Sequence, residues 1–202
     1  DTPQEAAFRT EVRAFLAANA EPKKRGVPAR ARHVGLDELA RAKRFQAAKH
    51  DAGLVGITWP KEWGGRELSQ IFQVIYNQEE EAYAVPRGVF EIGLGMCIPT
   101  MMAYATPDQL KRYVPKALHG DEVWCQLFSE PAGGSDVAAV RTRAEKNGDT
   151  WTINGQKIWT SGAQFSDFGI MVVRSNPDVP KHMGLTFFFL DMKSPGIEIR
   201  PI

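Results

Sequence analysis

The chain has 202 residues, and its 25 lysines and arginines nearly balance 24 aspartates and glutamates, for a formal net charge of +1. Hydrophobic residues make up 43% and charged residues 24%, which is ordinary for a globular protein and excludes a chain that is disordered throughout. The near-neutral charge gives no support to a nucleic-acid binder, which needs a concentrated basic face.

Neither a membrane span nor an export signal is evident. The longest uncharged stretch, residues 92–107, is interrupted by glycines and a proline and falls short of the ~18–20 apolar residues of a spanning helix. The first residues, DTPQEAAFRTEV, carry charges throughout and do not resemble a signal peptide. Cys97 and Cys125 form no pairing motif, which fits a reducing compartment. We therefore expect a cytoplasmic protein if the source is bacterial.

Helical periodicity dominates the first 120 residues. A capping box at Thr2 starts the first helix, which ends before Pro22. Further helices are predicted to begin near residues 36, 69, 90 and 106, the last at a second capping box that starts at Thr106. The run 90–104 is apolar almost throughout, which predicts a helix buried on most sides.

A basic loop is expected at residues 21–35, EPKKRGVPARARHVG, which contain two prolines. Such a loop is usually solvated. The alternative is a docking surface for an acidic ligand such as a nucleotide.

Beyond Gly120 the pattern becomes that of β-strands. Strands are predicted over residues 123–128, 142–146, 150–153, 168–174 and 185–191, with another starting at Ile197. The dipeptide Asn147-Gly148 is a strong hairpin signal, and such short turns predict a small antiparallel barrel or sandwich. We therefore expect an α+β chain, with a helical domain at 1–120 and a β-domain at 121–202.

Two segments of the β-domain carry candidate chemistry. Residues 126–136, QLFSEPAGGSD, end a strand in a loop of small residues, which is either a tight structural turn or a loop that a ligand approaches closely. Residues 156–163, QKIWTSGA, join a tryptophan to two hydroxyl residues. That tryptophan either packs at the sheet rim or stacks on a planar cofactor.

Taken together, SEPAGGSD and INGQKIWTSGA resemble the acyl-CoA dehydrogenase family of flavoproteins. The resemblance extends to GITWPKEWGG in the helical part and to HMGLTFFFLDMKSPGIEIRPI in the β-part. It implies an N-terminal helical domain, a middle β-domain that is incomplete at its C-terminal end here, and a C-terminal four-helix domain not present in this chain. For a eukaryotic source it implies the mitochondrial matrix.

The resemblance also implies roles for individual residues around FAD. Trp159 would pack against the flavin ring, Ser161 would hydrogen-bond flavin N5, and Ser135 would lie where FAD meets the CoA part of the substrate. The helix around residues 93–102 would wall the acyl pocket. The residues implied to bind the cofactor are Gln126, Leu127, Phe128, Ser129, Gly134, Ser135, Trp159, Thr160 and Ser161.

The implied reaction is α,β-desaturation of an acyl-CoA thioester, in which a base takes a proton from Cα while hydride passes from Cβ to flavin N5. The weakly acidic Cα proton requires a polarised thioester carbonyl. In the family the base is a glutamate of the C-terminal domain, so no catalytic residue is assigned in this chain, and no metal ligand is expected. Glu130 is predicted instead to accept hydrogen bonds from loop N–H groups.

Alternative functions remain open at this point. An acyl-CoA oxidase or a flavin monooxygenase would keep the same fold, and a non-catalytic subunit of a hetero-oligomer would supply only part of a flavin pocket. The expected partners are an acyl-CoA substrate, an electron-transfer flavoprotein as electron acceptor, and further copies of this chain or a related one. Neither a nucleic acid nor a membrane is an expected partner.

Overall fold

The computed structural model describes residues 1–24 and 35–200. The chain divides into two compact units, Asp1–Glu122 and Val123–Ile202. The first unit is helical and the second is built on a β-sheet, so the predicted α+β class is confirmed. Residues 25–34 of the basic loop predicted at 21–35 lie outside the described residues.

The helical unit begins two of its helices with the capping boxes that the sequence predicts. The Thr2 hydroxyl accepts a hydrogen bond from the Glu5 N–H, and the Thr106 hydroxyl accepts one from the Gln109 N–H. In each box the side chain at the third helical position bonds back to the cap, so two N–H groups are satisfied. The described α-helices are α1 (Pro3–Asn19), α2 (Leu36–Asp51), α3 (Gln70–Glu80), α4 (Ile98–Tyr104) and α5 (Pro107–His119).

The core of the helical unit forms where α1 packs on α3. Phe8 of α1 meets Phe72 of α3 edge to face, with ring centroids 5.2 Å apart. Ion pairs join the same two helices at their surface, where Glu79 binds Arg9 and Arg13 at 2.7 Å each. The apolar stripes of both helices therefore face each other, as their spacing requires.

The apolar run at 90–104 is less buried than predicted. A π-helical turn, Gly93–Cys97, leads into α4. Cys97, Ile98 and Met101 are buried, but Met96 is 41% exposed and Tyr104 84% exposed. Only one face of this segment meets the other helices of its unit, so the prediction of burial on most sides is wrong for the described residues.

The second unit contains one five-stranded mixed sheet in the described residues. A hairpin joins two of its strands, with Asn147 paired to Thr150 and Gly148 at a φ of 60°. The strands are β1 (Trp124–Leu127), β2 (Arg143–Asn147), β3 (Thr150–Asn154), β4 (Phe168–Arg174) and β5 (Leu185–Asp191).

Strand direction in this sheet differs from the antiparallel arrangement that we predicted. β5 runs antiparallel to β4, but β1 runs parallel to β4, with Trp124 opposite Phe168. Residues 128–167, which include β2 and β3, separate β1 from β4. A separation of this length allows the parallel pairing, because the chain can return to the sheet in the same direction. Residues 195–200 form no strand, so the strand predicted from Ile197 is wrong there.

One edge of β4 has a gap that a lysine fills. β5 pairs with one edge of β4 along its whole length, while β1 and β2 share the other edge and leave its middle unpaired. Lys157 Nζ donates there to the carbonyl oxygens of Val172 (2.7 Å) and Phe128 (3.1 Å), and to Glu130 Oε1 (2.8 Å). These bonds use all three N–H donors of the ammonium group.

Glu130, the partner of Lys157, is buried and fully engaged. Its carboxylate also accepts hydrogen bonds from the N–H groups of Arg141 (2.6 Å) and Thr142 (3.0 Å), which confirms the predicted acceptor role. Burial acts to raise the pKa of Glu130, but the bonds from Lys157, Thr142 and Arg141 outweigh it and lower the pKa from 4.5 to about 2. The ionised Glu130 carboxylate therefore stabilises the fold in full at pH values above the ordinary glutamate pKa. That contribution to the free energy of unfolding is lost as the pH falls towards about 2.

Lys157→Met should lower the free energy of unfolding by about 3–5 kcal/mol, because Glu130 would stay buried without its counter-ion. The double variant Lys157→Met/Glu130→Gln should recover part of this loss, since it removes both charges. Denaturant titration of the full-length protein measures both changes.

Lys181→Met is the matched control for this prediction. Lys181 pairs with Asp136 in the same unit, with side chains that are 59% and 54% exposed. An exposed pair of this kind contributes about 1 kcal/mol or less. Equal losses in Lys157→Met and Lys181→Met would contradict the role assigned to the buried pair.

Candidate functional site

The two loops that the sequence singles out lie against each other in the second unit. The Ile158 N–H donates to the Ser129 carbonyl oxygen at 2.9 Å. Lys157, the preceding residue, binds the carbonyl of Phe128 and the carboxylate of Glu130. A backbone hydrogen bond and a buried ion pair therefore join residues 126–136 to residues 156–163. We call these two segments together the paired loops.

The first of the paired loops contains a closed turn followed by small, open residues. Glu130 and Gly133 exchange two backbone hydrogen bonds, of 2.9 and 3.0 Å, around the Pro-Ala dipeptide. Gly134 and Ser135 follow and are exposed. A Cβ on Gly133 would have no neighbour within 4 Å, so a ligand could approach the backbone closely here. The structural turn, one of the two predicted alternatives, is therefore present, and the loop that a ligand approaches stays a prediction.

The strand that leads into this loop differs in exposure from residue to residue. Leu127 is 7% exposed and packs in the core of the β-unit with Cys125 and Met171, so it can offer a ligand only its backbone. Gln126 and Phe128 are half-buried.

Trp159, in the second loop, combines strain with exposure. Its φ of 60° lies in the left-handed region, which a bulky residue rarely adopts and which costs about 1–3 kcal/mol. The indole nevertheless gains little from burial, because the residue is 71% exposed. The neighbouring backbone fixes this conformation through the Ile158 bond on one side and an Ala163 N–H bond to the Thr160 carbonyl (3.2 Å) on the other.

The paired loops contain hydroxyl residues, two of which directly follow Trp159 in the chain. Ser161 is exposed, and Thr160 and Ser129 are half-buried. Within the part of the chain that the structure describes, these three hydroxyls have no hydrogen-bond partner. The paired loops can therefore present a flat aromatic face and free hydroxyl groups to a planar, polar ligand.

Sequence reasoning did not find the role of Lys157. Its partner Glu130 lies 27 residues earlier, and no local spacing links the two. The one signal is a lysine directly before two large apolar residues, Ile158 and Trp159, where a charge needs a partner if it is buried.

The helical unit has a cavity whose lining includes Leu94 and Gly95, from the segment 93–102 that the family resemblance implies to wall an acyl pocket. It has a volume of about 320 Å³ and lies between α2, α3 and the π-helical turn. Lys49 of α2 lines it. On a charged amphipathic helix such a lysine looks solvated, and only the packing of the helices reveals its position.

Two histidines near the ends of α2 and α5 are the candidate metal ligands in the described ranges. His50, Asp51 and His119 have ligand atoms within 4.8 Å of one another. Both imidazoles contact carboxylates, His50 that of Asp51 (3.3 Å) and His119 that of Asp121 (2.8 Å).

Among the described helices, none is both long and apolar enough to cross a bilayer.

Comparison with known protein families gives matches over both units. The family described as the N-terminal domain of acyl-CoA dehydrogenase matches residues 2–121. The family described as the middle domain of acyl-CoA dehydrogenase matches residues 125–202.

Individual relatives include two proteins of Mycobacterium tuberculosis. Acyl-CoA dehydrogenase FadE34 is 44% identical over 79% of this chain and 22% of the relative. Acyl-CoA dehydrogenase IpdE1 is 38% identical over 96% of this chain and 51% of the relative. The chain thus spans about half of IpdE1 and a smaller share of FadE34.

Solved structures of similar fold include two assemblies. The ChsE4-ChsE5 complex from Mycobacterium tuberculosis matches with a TM-score of 0.77 and 29% identity, over 97% of this chain and 48% of that one. The Tcur3481-Tcur3483 steroid ACAD matches with a TM-score of 0.78 and 30% identity, over 97% of this chain and 50% of that one. With both of its units matched by the corresponding domains, the chain belongs to the acyl-CoA dehydrogenase family.

Proposed function

We propose that the protein is an FAD-dependent acyl-CoA dehydrogenase and that the paired loops hold the flavin. The observation that carries the proposal is Trp159, an exposed indole kept in a strained backbone conformation beside free hydroxyl groups. Strain of this kind persists where function requires it, and a planar cofactor would cover the exposed ring. Membership of the family supports the same cofactor.

The residues of the paired loops fit a flavin by their chemistry. Trp159 would stack on the ring system, and the hydroxyls of Ser129, Thr160 and Ser161 would bind its polar edge. Ser135 and the open backbone at Gly134 would lie where FAD meets the CoA part of the substrate. When bound, FAD supplies the acceptor for the hydride that leaves Cβ.

Two glutamates of this chain, Glu130 and Glu79, do not suit the role of catalytic base. Glu130 is committed to Lys157 and two backbone N–H groups, and its pKa of about 2 makes it a poor proton acceptor. Glu79 is likewise held by Arg9 and Arg13. We therefore propose that the base belongs to the C-terminal helical domain that the family resemblance implies.

The proposed partners follow from the reaction and from the relatives. The substrate is an acyl-CoA, and the steroid ACAD relative supports a bulky acyl group. An electron-transfer flavoprotein is the proposed electron acceptor. Two of the matched structures are named as assemblies of two chains, which supports an oligomer with a related chain, in which this chain supplies all or part of a flavin site.

The full-length protein should purify yellow and lose its flavin absorption when a cognate acyl-CoA is added without oxygen. A colourless protein that takes up no added FAD would contradict the proposal. Rapid reoxidation of the reduced flavin by air would instead indicate an acyl-CoA oxidase or a monooxygenase.

Trp159→Gly should weaken FAD binding by about tenfold or more, because it removes the stacking ring. The same change should leave the apoprotein as stable as before or more so, because glycine adopts a positive φ without strain. Calorimetric titration of the full-length apoprotein with FAD measures the affinity, and its thermal midpoint measures the stability.

Glu67→Gly is the matched control. Glu67, in the helical unit, is the other described non-glycine residue with positive φ, at 51°. This variant should relieve strain and keep its FAD affinity. If Trp159→Gly bound FAD as tightly as Glu67→Gly, Trp159 would not belong to the flavin site.

A further inference from the structure

His50 and His119 meet where the ends of α2 and α5 come together in the helical unit. His50 lies in the last turn of α2, and His119 is the last residue of α5. Their rings pack edge to face, with centroids 5.3 Å apart. One nitrogen of each imidazole and one carboxylate oxygen of Asp51 lie within 4.8 Å of one another. Three groups that can bind a metal ion therefore converge, although the two histidines are far apart in the sequence.

Hydrogen bonds fix these two helix ends to each other. The buried side chain of Gln46 donates from Nε2 to the Leu118 carbonyl at 2.7 Å. Lys43 Nζ donates to the Asp121 carbonyl at 2.9 Å. Lys43, Gln46 and His50 are spaced so that they lie on one face of α2. The backbones that carry the two imidazoles are therefore held in place without an ion.

A carboxylate beside each imidazole leaves the opposite ring nitrogen free to bind an ion. Asp121 Oδ1 lies 2.8 Å from His119 Nδ1, and Asp51 Oδ1 lies 3.3 Å from His50 Nδ1. An ionised carboxylate only accepts hydrogen bonds, so Nδ1 donates and the lone pair of the neutral ring is on Nε2. Histidines that bind metal ions are commonly oriented in this way by a carboxylate at their other nitrogen.

Asp51 can complete the set of ligands. Its side chain is 72% exposed and its contact with His50 is long, so the carboxylate can turn from the imidazole towards an ion. Ligands that lie about 2.0–2.2 Å from a tetrahedral Zn²⁺ ion are about 3.5 Å apart. Since the three ligand atoms are within 4.8 Å of one another, side-chain shifts of about 1 Å bring them to that spacing.

The charges around the two histidines favour a cation. The C-terminal ends of α2 and α5, where the helix dipoles are negative, both lie here. Asp51 and Asp121 bring two negative charges, against the one positive charge of Lys43 at the Asp121 carbonyl. The lysines in the last turns of the two helices, Lys49 and Lys116, pair with glutamates outside this cluster.

We propose that His50, His119 and Asp51 bind a divalent transition-metal ion such as Zn²⁺, with water at the remaining position. Two imidazoles and a carboxylate are a donor set that Zn²⁺ takes, whereas Mg²⁺ and Ca²⁺ prefer oxygen ligands. The ion would tie the end of α2 to the end of α5 and stabilise the helical unit, because it binds the folded chain more tightly than the unfolded one. The site belongs to the helical unit alone and does not depend on the proposed flavin function.

Calorimetric titration of the chelator-treated full-length protein with ZnCl₂ tests this site. The wild type should bind Zn²⁺ with a dissociation constant in the micromolar range, and Zn²⁺ should raise its thermal midpoint whereas Mg²⁺ should not. His50→Ala and His119→Ala should each weaken Zn²⁺ binding by about tenfold or more, because each removes one ligand.

His182→Ala is the matched control, and hydrogen exchange is the second measurement. His182 is an exposed histidine of the second unit, so its removal should leave the Zn²⁺ affinity unchanged. In the wild type, Zn²⁺ should slow amide exchange at the ends of α2 and α5 together, because the ion joins them. This measurement needs no variant, so it tests the site even if a histidine variant is unstable.

Three outcomes would overturn the inference. The first is a wild type that binds no Zn²⁺ at millimolar concentration. The second is that His50→Ala or His119→Ala binds Zn²⁺ as tightly as His182→Ala, since the ion would then not bridge the two helices. The third is exchange that slows at one helix end only or at neither. None of these results bears on FAD uptake or flavin reduction, by which the proposed function is tested separately.

Discussion

The buried ion pair between Lys157 and Glu130 links the sheet to the proposed flavin site. β1 and β2 share one edge of β4, and the pairing leaves backbone groups between them without a strand partner. The Lys157 ammonium satisfies the Val172 carbonyl in that gap and, through Glu130, holds the backbone before β2. A change that removes one partner would therefore affect both the sheet edge and the two loops that leave it.

The same two loops also contain Trp159, which is strained and exposed, whereas the ion pair is buried and fully hydrogen-bonded. An indole that is 71% exposed at positive φ contributes little to the stability of the described chain. The surrounding hydrogen bonds hold it in place all the same, as expected where a ligand completes the contact. In the proposed site, the ion pair would hold the two loop backbones together and the exposed ring would stack on the cofactor.

Features specified by residues close in sequence could be predicted, and those that depend on distant partners could not. The capping boxes at Thr2 and Thr106 and the turn at Gly148 each involve residues within about one turn, so the sequence shows them directly. The residues of a strand do not show the direction of its neighbour, so the sequence does not predict the parallel pairing of β1 with β4. The sequence around Lys157 and Lys49 does not show their partners, because tertiary packing sets their surroundings: Lys157 is fully hydrogen-bonded and Lys49 faces a cavity.

Hydrogen exchange of the full-length protein, with and without FAD, tests the central claim most directly. If the ion pair joins two loops into one flavin surface, FAD should slow amide exchange in residues 126–136 and 156–163 together, and Glu130→Gln should weaken that protection in both. Protection confined to one loop, or found only elsewhere in the protein, would contradict the account.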